Sequence, residues 1–164
     1  ERGAKVGIPG YVIPRKQFDS NRAMTVAVVE KLQQLQIDLV VLAGCMVIFT
    51  EELVNAYPNA VMNVHPALIP SFCGAGFYGL HVHEAALRYG VKLSGATVHF
   101  VSEECDGGPI IAQRSVPVME NDTPETLQRR IMEQAEWKLL PKAVSLFCQG
   151  RLSVEGRTVM IKEN

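Results

Sequence analysis

The sequence predicts an α/β protein with a mostly parallel sheet and helices on its faces. Three features carry this expectation. Residues 37–43 read IDLVVLA, a near-continuous apolar run ending at Gly44, as expected of a strand buried on both faces. Strand and helix signals alternate through the first half with short connections, the pattern of parallel pairing. Asp122-Thr123-Pro124-Glu125 is a strong helix start, with proline near the first helical position.

Taken in order, residues 1–5 read as the tail of a helix already in progress, broken by Gly7-Ile8-Pro9-Gly10. Residues 11–13 fit a short strand. Asp19 or Ser20 caps a helix over 21–36, where Val28, Val29, Leu32 and Leu35 recur at helical spacing. Thr50 caps a short helix through Ala56, and residues 60–64 form the next strand. Residues 66–79 hold two prolines and three glycines and read as a long loop. Residues 82–89 are helical and stop at Gly90, 95–101 are β-rich, 103–109 are a loop and 110–118 a strand. The helix opened at Pro124 runs towards Gly150 with a break or kink near Pro141. A hairpin around Glu155-Gly156 closes the chain. Nothing marks a linker or a repeat, so residues 1–164 read as a single domain.

The formal net charge of −1 carries no field for wrapping nucleic acid, so an anionic substrate requires a local site. Cys45, Cys73, Cys105 and Cys148 form no CxxC pair and no tight spacing with histidine, so no metal site is expected. They read as reduced thiols of a cytoplasmic protein. No apolar run approaches the roughly 20 residues that span a bilayer, and no secretory signal opens the chain.

In a parallel α/β sheet, ligands bind beyond the carboxyl ends of the strands. That brings residues 45–49 near Asn63 and His65. Alternation along a strand turns Asn63 and His65 to one side. Asn63 offers an amide donor for a developing oxyanion, and His65 moves a proton near neutral pH. Both could instead be hydrogen-bonded at a loop entry. Asp106, beside Gly107 and Gly108, sits where backbone approaches a ligand closely and could orient His65; a turn aspartate with a local backbone bond is the plainer reading. His99 in TVHFV reads as a satisfied core histidine, and His81 and His83 as a polar surface. Cys45 reads as a packed thiol, and Trp137 and Leu139 as core.

NVHPALIPSF, GFYGLHVHEAAL, GATVHFVSEECDGGPII and MEQAEWKLLP, in this order and at these separations, closely resemble the glycinamide ribonucleotide formyltransferases, a family of Rossmann-like fold. The resemblance runs from Glu1 to about Leu152. It implies formyl transfer from 10-formyltetrahydrofolate to the amine of glycinamide ribonucleotide in purine synthesis, in the cytoplasm, without metal, nucleic acid or membrane, by a monomer or homodimer. Asn63, His65 and Asp106 fall on the family's catalytic trio. Met46, Val47, Ile48 and Phe49 fall on the loop that holds the pterin. Val101, Ser102, Glu103 and Glu104 fall on a second folate loop; Asn63 and Asn21 also face the folate. Gly44, Met46 and Glu136 fall on substrate positions.

The departures have consequences. Val47 stands where many members have arginine, and Ala67 replaces a frequent serine. Asn21 replaces a basic residue, leaving Arg22 as a substitute. The family opens with a strand, a Gly/Ser/Asn-rich phosphate-binding turn and a helix, roughly 30 or more residues that the chain does not show, so an N-terminally incomplete domain is expected. A formyltetrahydrofolate deformylase would share the trio, a methionyl-tRNA formyltransferase would add a C-terminal domain, and a non-catalytic folate-binding fragment is the reading from another class.

Overall fold

A computed structural model describes residues 2–163. After a short helix α1 (Arg2–Lys5), the chain runs α2 (Asn21–Gln34), β1 (Val40–Leu42), α3 (Glu51–Ala56), β2 (Val61–His65), α4 (Leu80–Tyr89), β3 (Leu93–Phe100) and β4 (Ile110–Pro117). It continues through α5 (Pro124–Ile131), a π-helical turn (Met132–Glu136), α6 (Trp137–Cys148), β5 (Leu152–Glu155) and β6 (Thr158–Ile161). Among the described residues the strands form one sheet in the order β1-β2-β3-β4-β6-β5.

The α/β class with flanking helices holds, but the sheet is mixed. The pairs β1–β2 and β4–β6 are parallel; β2–β3, β3–β4 and β5–β6 are antiparallel. The connections explain the difference. Helix α3 carries the chain back between β1 and β2, as a parallel crossover requires. The helix-free loop 101–109 and the tight turn at Gly156-Arg157 return their strands antiparallel.

Register separates the two faces. Asn63 pairs with His99, His65 with Thr97, and Thr97 with Gln113, so all five side chains share one face. Met62, Val64, Ala96, Val98 and Phe100 take the other face and pack against Leu127, Ile131, Ala135, Leu139 and Ala143 of the α5–α6 helix. Each large apolar side chain fully buried there contributes about 1.5–3 kcal/mol. A second cluster joins Val29 of α2, Leu53 and Tyr57 of the α3 region and Val61 of β2.

Local signals set most boundaries. The Ser20 hydroxyl accepts from Ala23 N at 3.0 Å and starts α2. Gly90, at φ 82°, ends α4. Thr123 and Thr126 form a reciprocal cap on α5, and Arg130 grips Asp122 through two bonds of 2.5 and 2.7 Å.

Several expectations are corrected. Residues 11–13 form no strand, because no neighbouring strand lies beside them among the described residues; the Tyr11 ring instead receives the Lys31 ammonium at 4.4 Å. The 37–43 strand shrinks to Val40–Leu42 and lies at the sheet edge, with Val41 39% exposed rather than buried on both faces. The irregularity expected at Pro141 sits one turn earlier. Pro141 has no N–H for the Trp137 carbonyl, yet lies inside α6, and the widened π turn precedes it. Trp137 is 62% exposed, because α6 turns Leu139, Ala143 and Leu146 to the sheet.

Candidate active site

The site forms where two loops meet over the polar face of the sheet. The first, residues 66–79, follows His65 from the end of β2. Thr97 anchors it from the neighbouring strand: its hydroxyl donates to Ala67 O at 2.7 Å and accepts from Ile69 N at 3.1 Å. Gln113 Nε2 adds a bond to Ile69 O at 2.9 Å. The second loop, residues 101–109, leaves β3 beside Val61, at the other end of β2, where Val101 N donates to Val61 O at 2.8 Å. It then folds back. Asp106 turns it at φ 55°, a left-handed conformation that aspartate tolerates. Gly108 lets it lie flat on β3; a Cβ there would stand 1.8 Å from Phe100 O.

The loops clasp where Gly74 N donates to Asp106 Oδ2 at 2.9 Å. The same Oδ2 lies 3.5 Å from His65 Nδ1. Asn63 Nδ2 is 3.4 Å from Asp106 Oδ1 and 3.3 Å from His99 Nε2. Asn63, His65 and Asp106 therefore come together as the resemblance implies, although Asp106 arrives from the opposite end of the sheet. His65 Nε2 is 2.8 Å from Phe72 O. Phe72 is itself held at φ 51°, an uncommon conformation for a bulky residue, with its ring edge-on to Phe77 and Tyr89.

Burial raises the Asp106 carboxyl pKa, but the adjacent His99 ring, the Gly74 N–H that donates to it and the nearby His65 ring together hold it below its usual value. The site thus keeps a carboxylate. Burial and then the Asp106 charge push the Cys73 and Cys105 thiols up, which makes both weak nucleophiles. All four cysteines are free, and Cys45 is exposed rather than packed, because it follows an edge strand.

Phe49 and Val101 pack against the same small cluster of Leu53, Tyr57 and Val61, so the two segments matched to folate loops converge there. Gly44 turns the first segment at φ 63°. Its tip, Met46, Val47 and Ile48, is exposed apolar surface, a surface suited to a planar, largely apolar ligand. In the second segment Ser102 Oγ donates to Glu104 O at 3.1 Å, Glu103 is exposed, and Gly107 N closes onto Glu104 O at 3.0 Å.

Asn21 and Glu136, like the residues of the two folate segments, show no hydrogen bond or ion pair to the trio among the described residues. Asn21 accepts from Arg15 Nε at 2.6 Å. Glu136 ends the π turn, half-buried; burial alone raises its carboxyl pKa. Arg22, next to Asn21, is largely exposed and pairs with Glu52 at 2.5 Å.

One histidine was misread from sequence. His83 is fully buried, because α4 turns Val82, His83, Ala85 and Ala86 inward, while His81 is exposed. His99 is buried and hydrogen-bonded as expected, and the β2–β3 register sets it opposite Asn63.

Comparison with known proteins agrees with this geometry. The sequence pattern of the Formyl transferase family matches residues 1–144. The chloroplastic phosphoribosylglycinamide formyltransferase of Arabidopsis thaliana is 42% identical over 147 residues, which are 89% of this chain and 50% of that protein. The chain thus spans about half the length of that curated relative. The glycinamide ribonucleotide transformylase 1 structure from Symbiobacterium toebii superposes with a TM-score of 0.92 at 41% identity, covering 99% of this chain and 74% of the other. A formyltetrahydrofolate deformylase from Pseudomonas syringae superposes at 0.82 with 30% identity, covering 98% and 51%. With a match over most of its length and a fold shared at that identity, the chain belongs to the formyl transferase family.

Proposed function

We propose that this protein transfers the formyl group of 10-formyltetrahydrofolate to the amine of glycinamide ribonucleotide, a step of purine synthesis. One observation carries the reading. Asn63, His65 and Asp106 meet on the polar face of the sheet, in a chain 42% identical to a protein named phosphoribosylglycinamide formyltransferase.

The folate supplies an activated formyl group. Exposed Met46, Val47 and Ile48 cover one side of its ring system, with Phe49 and Val101 behind them; Asn21, Ser102, Glu103 and Glu104 line the remainder. Gly44, Met46 and Glu136 receive the ribonucleotide. As the amine adds, Asn63 donates an N–H to the formyl oxygen, which becomes negative. His65 faces an acceptor at each nitrogen, Phe72 O and Asp106 Oδ2, so the doubly protonated ring is fully partnered. It stabilises the developing charge and gives a proton to the folate nitrogen as that nitrogen's bond to the formyl carbon breaks; the proton lost by the attacking amine restores the imidazolium, which Asp106 balances.

Hydrolysis of the formyl group is the second reading, favoured by the likeness to the deformylase structure. A single assay separates them. With both substrates, transfer yields formylated ribonucleotide in step with folate release; hydrolysis yields free formate whether or not the ribonucleotide is present. Formate release that ignores the ribonucleotide overturns the transfer reading. A cytoplasmic setting accords with four free thiols and with the finding that no described helix is long and apolar enough to cross a membrane; the Arabidopsis relative's name assigns that protein to the chloroplast.

A further inference from the structure

His99 is 1% exposed and stands directly opposite Asn63 in the β2–β3 register. Its Nδ1 lies 2.8 Å from Phe100 O, which only accepts, so Nδ1 carries a proton. In the singly protonated ring Nε2 is then a lone pair. The donor it meets is Asn63 Nδ2, 3.3 Å away. The same Nε2 lies 3.6 Å from Asp106 Oδ1; a second proton there would donate to the carboxylate and collide with the Asn63 N–H. The contact to Asn63 is the shorter of the two, so the lone pair of His99 faces the Asn63 N–H.

We infer that His99 is a positioning residue, whose Nε2 lone pair, together with Asp106 Oδ1, fixes the Asn63 amide with its nitrogen over the reacting centre. An amide has a donor end and an acceptor end of nearly equal size. Reversed, Asn63 would turn its carbonyl oxygen towards a developing oxyanion and oppose the reaction. Two acceptors on one side, His99 Nε2 and Asp106 Oδ1, exclude that reversal. Both contacts are long, 3.3 and 3.4 Å, so either N–H can shift to a more negative oxygen as charge develops there. His99 touches no reacting atom; it acts through Asn63. The inference rests on the transfer reading only for its kinetic consequence; the tautomer and the amide orientation are properties of the free protein.

Two measurements test it. In the wild-type protein, 15N-correlated imidazole spectra should show His99 protonated at Nδ1 and bare at Nε2. An Nε2–H tautomer or a doubly protonated ring at neutral pH overturns the inference. In turnover assays, His99→Leu removes the acceptor and should lower kcat about 10- to 100-fold, the scale of losing an orienting hydrogen bond behind a functional group. Folate affinity should stay within about threefold, since uniform binding is untouched. His99→Gln, whose Oε1 restores an acceptor, should recover most of the loss. Near-wild-type turnover in His99→Leu, or equal losses in the two variants, overturns the inference, because a packing role would not respond to the acceptor. Wild-type protein in the same assay keeps the two claims apart: if it forms no formylated ribonucleotide, the transfer reading fails, and the imidazole spectra alone decide the role of His99.

Discussion

His65 Nδ1 and Asp106 Oδ2 lie 3.5 Å apart although their loops leave the sheet at opposite ends. The pair exists because the loop after β3 doubles back over the polar face and is clasped by Gly74 N. Replacing Asp106 by Asn keeps the shape and removes the charge. Turnover should fall about 100-fold or more, the scale of losing a general acid–base partnership, while folate affinity changes little. Single-turnover kinetics beside a folate titration checks this; near-normal turnover would remove Asp106 from the mechanism.

The same doubling back makes Gly108 a structural requirement. Any Cβ there meets the Phe100 carbonyl, which is strand backbone and cannot yield. Gly108→Ala should cost about 1–3 kcal/mol by overpacking and should also lower turnover, because the displaced loop carries Asp106. Urea unfolding and the formylation assay measure the two effects; a variant as stable and as active as wild type would mean the loop has another path.

What was legible in the sequence follows from the range of each signal. Asn63 and His65 were readable because strand alternation is a local rule, and β2 obeys it. Asp106 was readable as a carboxylate beside two glycines that could orient His65, with a turn aspartate the plainer reading; the contact itself depends on a loop folding across the sheet, which no local pattern encodes. His99 needed the antiparallel register of β3 on β2, and the expectation of parallel pairing hid it. His83 and Trp137 were misassigned for one reason: the face a helix buries is decided by where it packs. Residues 11–13 carry strand-like side chains, but a strand also needs a partner for its backbone groups.

His83 gives a pH prediction. Burial, then the nearby His65, lowers its pKa from 6.5 to about 4, and neither ring nitrogen has a partner among the described residues. The folded state thus binds fewer protons than the unfolded chain. Its contribution is whole above the unfolded value near 6.5 and is lost as pH falls towards 4. Between about pH 7 and about pH 5 this one group should remove about 2 kcal/mol. Urea midpoints for wild type and His83→Leu at the two pH values test it; parallel losses would show that other groups carry the acid sensitivity.

Glu136 separates stability from function in the opposite direction. Burial raises its carboxyl pKa, so the folded state favours the protonated form and binds more protons than the unfolded chain. Stability from this group is therefore greatest below the unfolded value of 4.5 and declines as pH rises through the raised folded value. No cation pairs with Glu136 among the described residues, so its charged form carries a desolvation cost that no partner offsets. A half-buried, unpaired carboxylate in a widened helical turn suits a cationic or amine ligand. Glu136→Gln keeps the shape and removes the charge. It should leave the protein as stable or more stable at neutral pH, leave folate affinity unchanged, and raise the KM for glycinamide ribonucleotide about tenfold, a loss of about 1.4 kcal/mol. A purely structural Glu136 would show the stability gain with no change in KM, and a folate contact would move the folate titration instead.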